Sequence, residues 1–154
     1  MRALVRSEVH VTAPARTVWD YVVDWPRQGE WIPMTRVEAV DDADRVGGRI
    51  RAWTGVGPVG FWDPMTITAW EVQANGSARC EVLHTGGVVR GDGEFAVVAD
   101  GPEACTFVWW ERLEVPGGAL GALGWRVAGG AFGRGVDLAL RRLADRVERD
   151  HVAG

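Results

Sequence analysis

Lysine is absent from this chain, and all 17 basic side chains are arginine. That removes Schiff-base chemistry and the lysine of a phosphate-binding loop in one step, because both depend on an ammonium group. Cysteine is scarce. Cys80 and Cys105 are too few for a disulfide framework and both sit inside apolar strand patterns, so they read as reduced core thiols. His10, His84 and His151 are scattered, with no His-x-x-x-His and no close cysteine pair, so no metal site is expected. Ser7 and Ser77 are the only serines, and neither stands in a nucleophile-elbow setting, which excludes a serine triad. No run approaches the roughly 18 uninterrupted apolar residues of a membrane span. Met1 to Arg6 leads into a strand rather than a signal-peptide core, so the expected address is the cytoplasm, with no integral membrane association.

What the chain does have fits one compact domain over residues 1–154. Its net charge is −4, with arginines interspersed among acids, which argues against a nucleic-acid partner. Tryptophan and glycine are abundant, at 9 and 21 residues. Indoles bring large apolar area with one N–H handle, and glycines allow bends and close backbone approach. Together they predict strongly bent strands lined by indoles.

Ser7 to Thr12 alternates as a first strand. Pro14 then suits a first helical position, and Val18, Trp19, Val22 and Val23 share one side of the helix that follows. Asp24-Trp25-Pro26 stops that helix, and a short second one carries Gln28 to Trp31. Five or six strands follow: Arg36 to Val40, Gly48 to Thr54, Trp62 to Val72, Ala78 to His84, Val88 to Val98 and Cys105 to Val115. Asn75-Gly76 marks one hairpin, and Gly86-Gly87 reads as a two-residue turn in another. From about Gly118 to His151 runs a closing helix. Trp125, Ala128, Phe132, Val136, Leu140, Leu143 and Val147 recur along it at the period of one buried face. Its first half is rich in glycine and is expected to fray or kink, whereas Arg141, Asp145 and Arg149 suggest i,i+4 pairs on a solvated face.

These pieces, in this order, resemble the polyketide cyclase/dehydrase branch of the START-like (SRPBCC) superfamily. The residues that carry the resemblance are Ala13-Pro14-Ala15-Arg16-Thr17-Val18-Trp19 with Asp24-Trp25 and Trp31, Val46-Gly47-Gly48, His84-Thr85-Gly86, Gly91-Asp92-Gly93, Trp109-Trp110-Glu111, and Leu138 to Leu143. The resemblance implies an α+β helix-grip fold. A seven-stranded antiparallel sheet would curl around the long C-terminal helix, with two short N-terminal helices and a hydrophobic cavity between sheet and helix. It also implies a small-molecule ligand of lipid or polyketide type, because members bind lipids, sterols, polyketides, hormones or quinones, while a minority catalyse reactions. In plant hormone receptors of that superfamily a loop between the third and fourth strands is a gate and a histidine-containing turn its latch. Gly55 to Gly60 and His84 to Gly86 are similarly placed.

Strand alternation selects the residues expected to meet that ligand. Phe107, Trp109, Glu111, Leu113 and Val115 share the inner face of the last strand, which makes Glu111 an acid on an apolar surface. Cys80, Val82 and His84 point inward with Phe95 across the preceding hairpin, and Gly91 leaves a gap beside Glu111. His84 and Glu111 are then the polar anchors and the candidates for acid/base work, at a spacing that looks too long for a hydrogen-bonded dyad. An arginine is the expected structural partner of Glu111. Trp31, Trp53, Trp62, Trp109, Trp125 and Phe132 are expected walls, and a ligand would enter near Trp125 and Phe61, between the closing helix and the Gly55-to-Gly60 loop. The expected function is binding of a hydrophobic or aromatic small molecule, by a monomer or homodimer without cofactor. The alternatives are a polyketide aromatase/cyclase or dehydratase using Glu111 or His84, and a protein-interaction module docking through Val108 and Trp110.

Overall fold

A computed structural model describes residues 1–154. Seven strands form one antiparallel sheet: β1 (Arg2–Val11), β2 (Thr35–Ala39), β3 (Arg49–Val56), β4 (Val59–Val72), β5 (Ala78–Thr85), β6 (Arg90–Ala99) and β7 (Cys105–Glu114), in the order β1-β7-β6-β5-β4-β3-β2. Successive hairpins account for β2 through β7, and β1 closes onto β7 with Arg2 opposite Glu114 and Val11 opposite Cys105. Between β1 and β2 the chain makes α1 (Ala15–Val22) and a 3-10 turn (Trp25–Glu30). After β7 comes α2 (Gly118–Ala153). This is the helix-grip arrangement: an open curled sheet holding one long helix.

The turn chemistry explains where the strands end, and in two places differs from the expectation. Val56 pairs with Val59, so the supposed Gly55-to-Gly60 loop is mostly ladder and only Gly57-Pro58 turns. Gly57 takes φ +57, which a side chain disfavours. Gly55 and Gly60 serve packing instead, since a Cβ on either would lie within 2.7 Å of the Trp53 indole. The β5–β6 connection is longer than a Gly86-Gly87 turn, because the last pair is Thr85 with Arg90 and not His84 with Val89. At Asn75-Gly76 the expected hairpin forms, with Gly76 at φ +88 and Asn75 Oδ1 accepting from the Ser77 amide at 2.9 Å.

Pro14 lies one position earlier than expected and caps α1 from outside, which leaves Val18, Trp19 and Val22 buried on its inner side. The 3-10 turn starts at Trp25 rather than Gln28, with Pro26 in its first turn. It is pinned by Trp25 Nε1 donating to the Ala43 carbonyl at 2.9 Å and by Gln28 donating to the Val22 carbonyl at 2.8 Å. These bonds satisfy groups that would otherwise cost about 1–3 kcal/mol each when buried. The turn thereby sets Trp31, which is completely buried, against the inner face of the sheet.

Helix α2 is continuous for 36 residues, so the glycines of its first half do not break it. They change its packing instead. The buried stripe begins only at Val136 and runs through Ala139, Leu140, Leu143, Ala144 and Val147, without Ala128 or Phe132. Each large side chain fully buried here contributes about 1.5–3 kcal/mol. Before Val136 no side chain of α2 is buried. The polar contacts of α2 also differ from the expected Arg141/Asp145 and Asp145/Arg149 ion pairs: Arg146 pairs with Glu30 at 3.3 Å, and Glu148 accepts a hydrogen bond from the Thr12 amide at 2.8 Å. Asp137 accepts from the Ser7 hydroxyl, which fastens the middle of α2 to β1.

Candidate functional site

Inner-face alternation brings three ionisable side chains together in the core. Asp63 lies on β4 between Phe61 and Met65, His84 is near the end of β5 and Glu111 is on β7. His84 stands at the centre, with Nδ1 2.8 Å from Asp63 Oδ2 and Nε2 2.9 Å from Glu111 Oε2. Trp109 Nε1 donates to the other Glu111 oxygen at 2.8 Å. All three ionisable residues are buried.

The expected gap between His84 and Glu111 is therefore closed by direct contact. The reason is glycine. On the intervening strand β6, His84 pairs with Gly91 and Glu111 pairs with Gly93, so the two side chains meet over a stretch with none of its own. Gly91 is opposite Leu113 on its other side, one inner-face position away from the place expected beside Glu111. A Cβ on Gly93 would lie 2.6 Å from the carboxyl carbon of Glu111. No arginine reaches Glu111; histidine and indole satisfy it instead. A Gly93→Ala substitution should consequently displace a carboxylate pinned on both sides and destabilise the fold by about 2–3 kcal/mol. Urea denaturation checks this, and an unchanged midpoint would mean that Glu111 has freedom to move aside.

Burial pulls the His84 pKa down, but hydrogen bonds to Asp63 and Glu111 and the charges of both outweigh it, leaving it raised to about 10. At neutral pH the imidazole is thus a cation donating both N–H groups to carboxylates. It has no lone pair free for a nucleophile or base. Asp63 Oδ1 is buried without a hydrogen-bond partner, and so is Trp31 Nε1. Most buried polar groups are paired, so each of these two atoms has hydrogen-bonding capacity to offer a partner.

An aromatic wall adjoins this network. Phe95 and Trp109 stand edge to face at 5.1 Å between ring centres, and Trp31 lies 6.0 Å from Phe95 and 6.2 Å from Trp109. Trp31, Phe95, Trp109, His84 and Glu111 thus come together as one patch of inner face, and Phe61 shares that face next to Asp63. Trp53 and Trp62 do not join them. They pair on the outer face, where Arg36 and Arg51 guanidinium groups stack 4.5–5.3 Å from the rings. The parity of β3 decides this, since Ile50 and Ala52 are the buried positions. Trp125 and Phe132 pack on each other along α2 at 6.1 Å, clear of the wall residues' ring contacts. A cleft of about 500 Å³ opens beside His84 and Gly91, with a mostly polar lining that includes Arg2, Arg90, Asp92 and Arg112.

The outer-face patch expected at Val108 and Trp110 does not form. Both are half-buried, Trp110 donates to Glu94 at 3.0 Å, and Arg112 lies 5.6 Å from its ring. Sequence reasoning also passed over Asp63, although it lies at the start of the strand expected over Trp62 to Val72. The signal available was the alternation Phe61, Asp63, Met65, Ile67.

Residues 2–148 match the family described as polyketide cyclase/dehydrase and lipid transport. No curated protein matches the sequence at a significant level. Among solved structures the chain is similar to the Zhui aromatase/cyclase from Streptomyces sp. R1128, at 17% identity over 97% of this chain and 95% of that one, with a TM-score of 0.74. A protein of Thermus thermophilus superposes with a TM-score of 0.75 at 19% identity, over 94% and 97% of the two chains. A START superfamily protein from Mycobacterium smegmatis does so at 0.70 and 18% identity, over 95% and 97%. At such identities the likeness shows the fold alone.

Proposed function

The chain belongs to the polyketide cyclase/dehydrase and lipid transport family, and from that premise we propose that it binds a hydrophobic, aromatic small molecule on the inner face of the sheet, beneath the first half of α2. The observation that carries this reading is the junction of an aromatic wall with a buried charged network that still has an unused acceptor, Asp63 Oδ1. Ligand sites commonly combine apolar walls with a few convergent polar groups in this way. Trp31, Phe95 and Trp109 would flank the rings of the ligand. A phenol or enol hydroxyl donating to Asp63 Oδ1 would supply the missing hydrogen bond, worth more than a neutral one because the acceptor is charged.

Titration of intrinsic tryptophan fluorescence with polycyclic aromatic phenols tests the proposal. Quenching at micromolar concentration is expected, with affinity about tenfold weaker in Asp63→Asn for phenols and nearly unchanged for analogues lacking the hydroxyl. A flat titration across the panel would sink the reading.

One observation favours a second reading, polyketide aromatase/cyclase or dehydratase activity. Asp63, His84 and Glu111 hold one imidazolium between two carboxylates beside the aromatic wall. A folded poly-β-keto chain lying there would have an acid in His84 and a carboxylate base within one network, provided its reacting atoms came within hydrogen-bond reach. Turnover of a poly-β-keto substrate by wild type and its loss in Glu111→Gln would support this, and equal turnover by both would leave binding alone.

A further inference from the structure

The first half of α2 is largely apolar and yet exposed. Leu120, Leu123 and Val127 form a stripe turned outward, at 81%, 59% and 81% exposure, while Trp125 and Phe132 occupy the opposite flank. Contiguous apolar side chains left exposed in this way mark a surface that meets a partner. The same end of the sheet collects further exposed apolar side chains at its tips: Met34 before β2, Val56 and Val59 at the β3–β4 turn, and Val88 in the β5–β6 turn. The strand registers place all of these tips together, because β2 begins, β3 ends, β4 begins, β5 ends and β6 begins at the end where β7 runs into α2.

Charge separates the possible occupants. From Val115 to Val136 the only charged side chains are Arg126 and Arg134; the β3–β4 turn has none and the β5–β6 turn has only Arg90. The projecting segments themselves hold no acid, the nearest being Glu114 and Asp92 on the flanking strands, so on a chain of net charge −4 their arginines are a local reversal of sign. A second copy of the chain would bring the arginines of these segments against one another in a two-fold contact. The rim is also a set of projecting tips and one helix flank rather than a flat face. No helix of the chain is long and apolar enough to cross a membrane. We propose that this rim docks on the surface of an anionic lipid bilayer, with Leu120, Leu123 and Val127 entering the headgroup boundary and Arg90, Arg126 and Arg134 facing lipid phosphates. Amphiphilic helices bind bilayers by this combination of shallow apolar burial and attraction to anionic lipid. The surface stands independently of the ligand reading, since it involves none of Asp63, His84 or Glu111.

Co-sedimentation of the full chain, without ligand, with vesicles of phosphatidylcholine containing phosphatidylglycerol tests the proposal. Binding is expected, and it should weaken by roughly tenfold or more in Leu123→Asp/Val127→Asp, in Arg126→Glu/Arg134→Glu, and for wild type on pure phosphatidylcholine. Val152→Asp, an exposed site in the last turn of α2, should bind like wild type. All of these positions are exposed, and circular dichroism verifies that the variants remain folded. Absence of wild-type binding, or equal binding by the Leu123/Val127 and Arg126/Arg134 variants, would overturn the proposal. So would a concentration-dependent dimer in light scattering that is lost in Leu123→Asp/Val127→Asp without any vesicle binding, which would assign the rim to a second copy.

Discussion

Replacing His84 by alanine should destabilise the protein by about 3–5 kcal/mol, the cost of leaving buried charge without its partner. The imidazolium is the only cation within hydrogen-bond distance of Asp63 Oδ2 and Glu111 Oε2. Its removal leaves two carboxylates facing one void. The loss should depend on those charges more than on the cavity. In an Asp63→Asn/Glu111→Gln background the same His84→Ala change should cost only about 1–2 kcal/mol, from lost hydrogen bonds and a small void. Urea unfolding of the four proteins gives the comparison directly. Equal losses in both backgrounds would mean that His84 acts by packing and that the charges are not coupled through it.

The second large effect is on pH. An ordinary histidine titrates near 6.5, and in the fold His84 is raised to about 10. Between these values the native state holds a proton that the unfolded chain releases, so stability falls as pH rises. The contribution is complete below the unfolded value and is lost progressively up to the folded one. From pH 6.5 to about 8.5 the expected loss is about 2 kcal/mol, since each full unit of differential protonation is worth about 1.4 kcal/mol. This interval ends before the thiols matter: burial pushes Cys80 up to about 12 and Cys105 up to about 11 from an ordinary 9.0, and their contribution falls in the same direction only at higher pH. Urea midpoints that decline across the interval for wild type and stay flat for Asp63→Asn/His84→Ala/Glu111→Gln are the expected result. A flat wild-type profile would show that His84 is neutral in the fold.

Much of the architecture was legible because it rests on local periodicity. Val136, Leu140, Leu143 and Val147 announce a helix face, and alternation in β7 puts Phe107, Trp109 and Glu111 on one side. The site was half legible for the same reason. Glu111 and His84 stood out as polar residues on apolar faces, but the distance between them depends on what the strand between them lacks, and a sheet that coils over Gly91 and Gly93 brings β5 and β7 side chains into reach. Asp63 depended on the β4–β5 register, in which Met65 stands opposite His84 and Asp63 falls within reach of the ring. Trp53 and Trp62 show the limit of composition. An indole on a strand is as well satisfied by an arginine face in solvent as by a pocket, and only the parity of Ile50 and Ala52 separates the two.

The pairing of β1 with β7 also fixes an order of events in the life of the chain. Each hairpin from β2 to β7 joins strands that follow one another, so those contacts are short-range. β1 is different: it lies at the sheet's edge, and its first possible ladder partner is Cys105. Its other support, the Ser7 bond to Asp137 and the Thr12 bond to Glu148, comes later still. Closing so long a loop is the slow, entropically costly kind of contact that governs folding rates. A ribosome that has released only the first hundred residues therefore presents β1 as a strand with nothing beside it. In those moments its alternating Val5, Ser7, Val9 and Val11 face solvent and neighbouring chains, and they are covered only when the last third of the protein emerges.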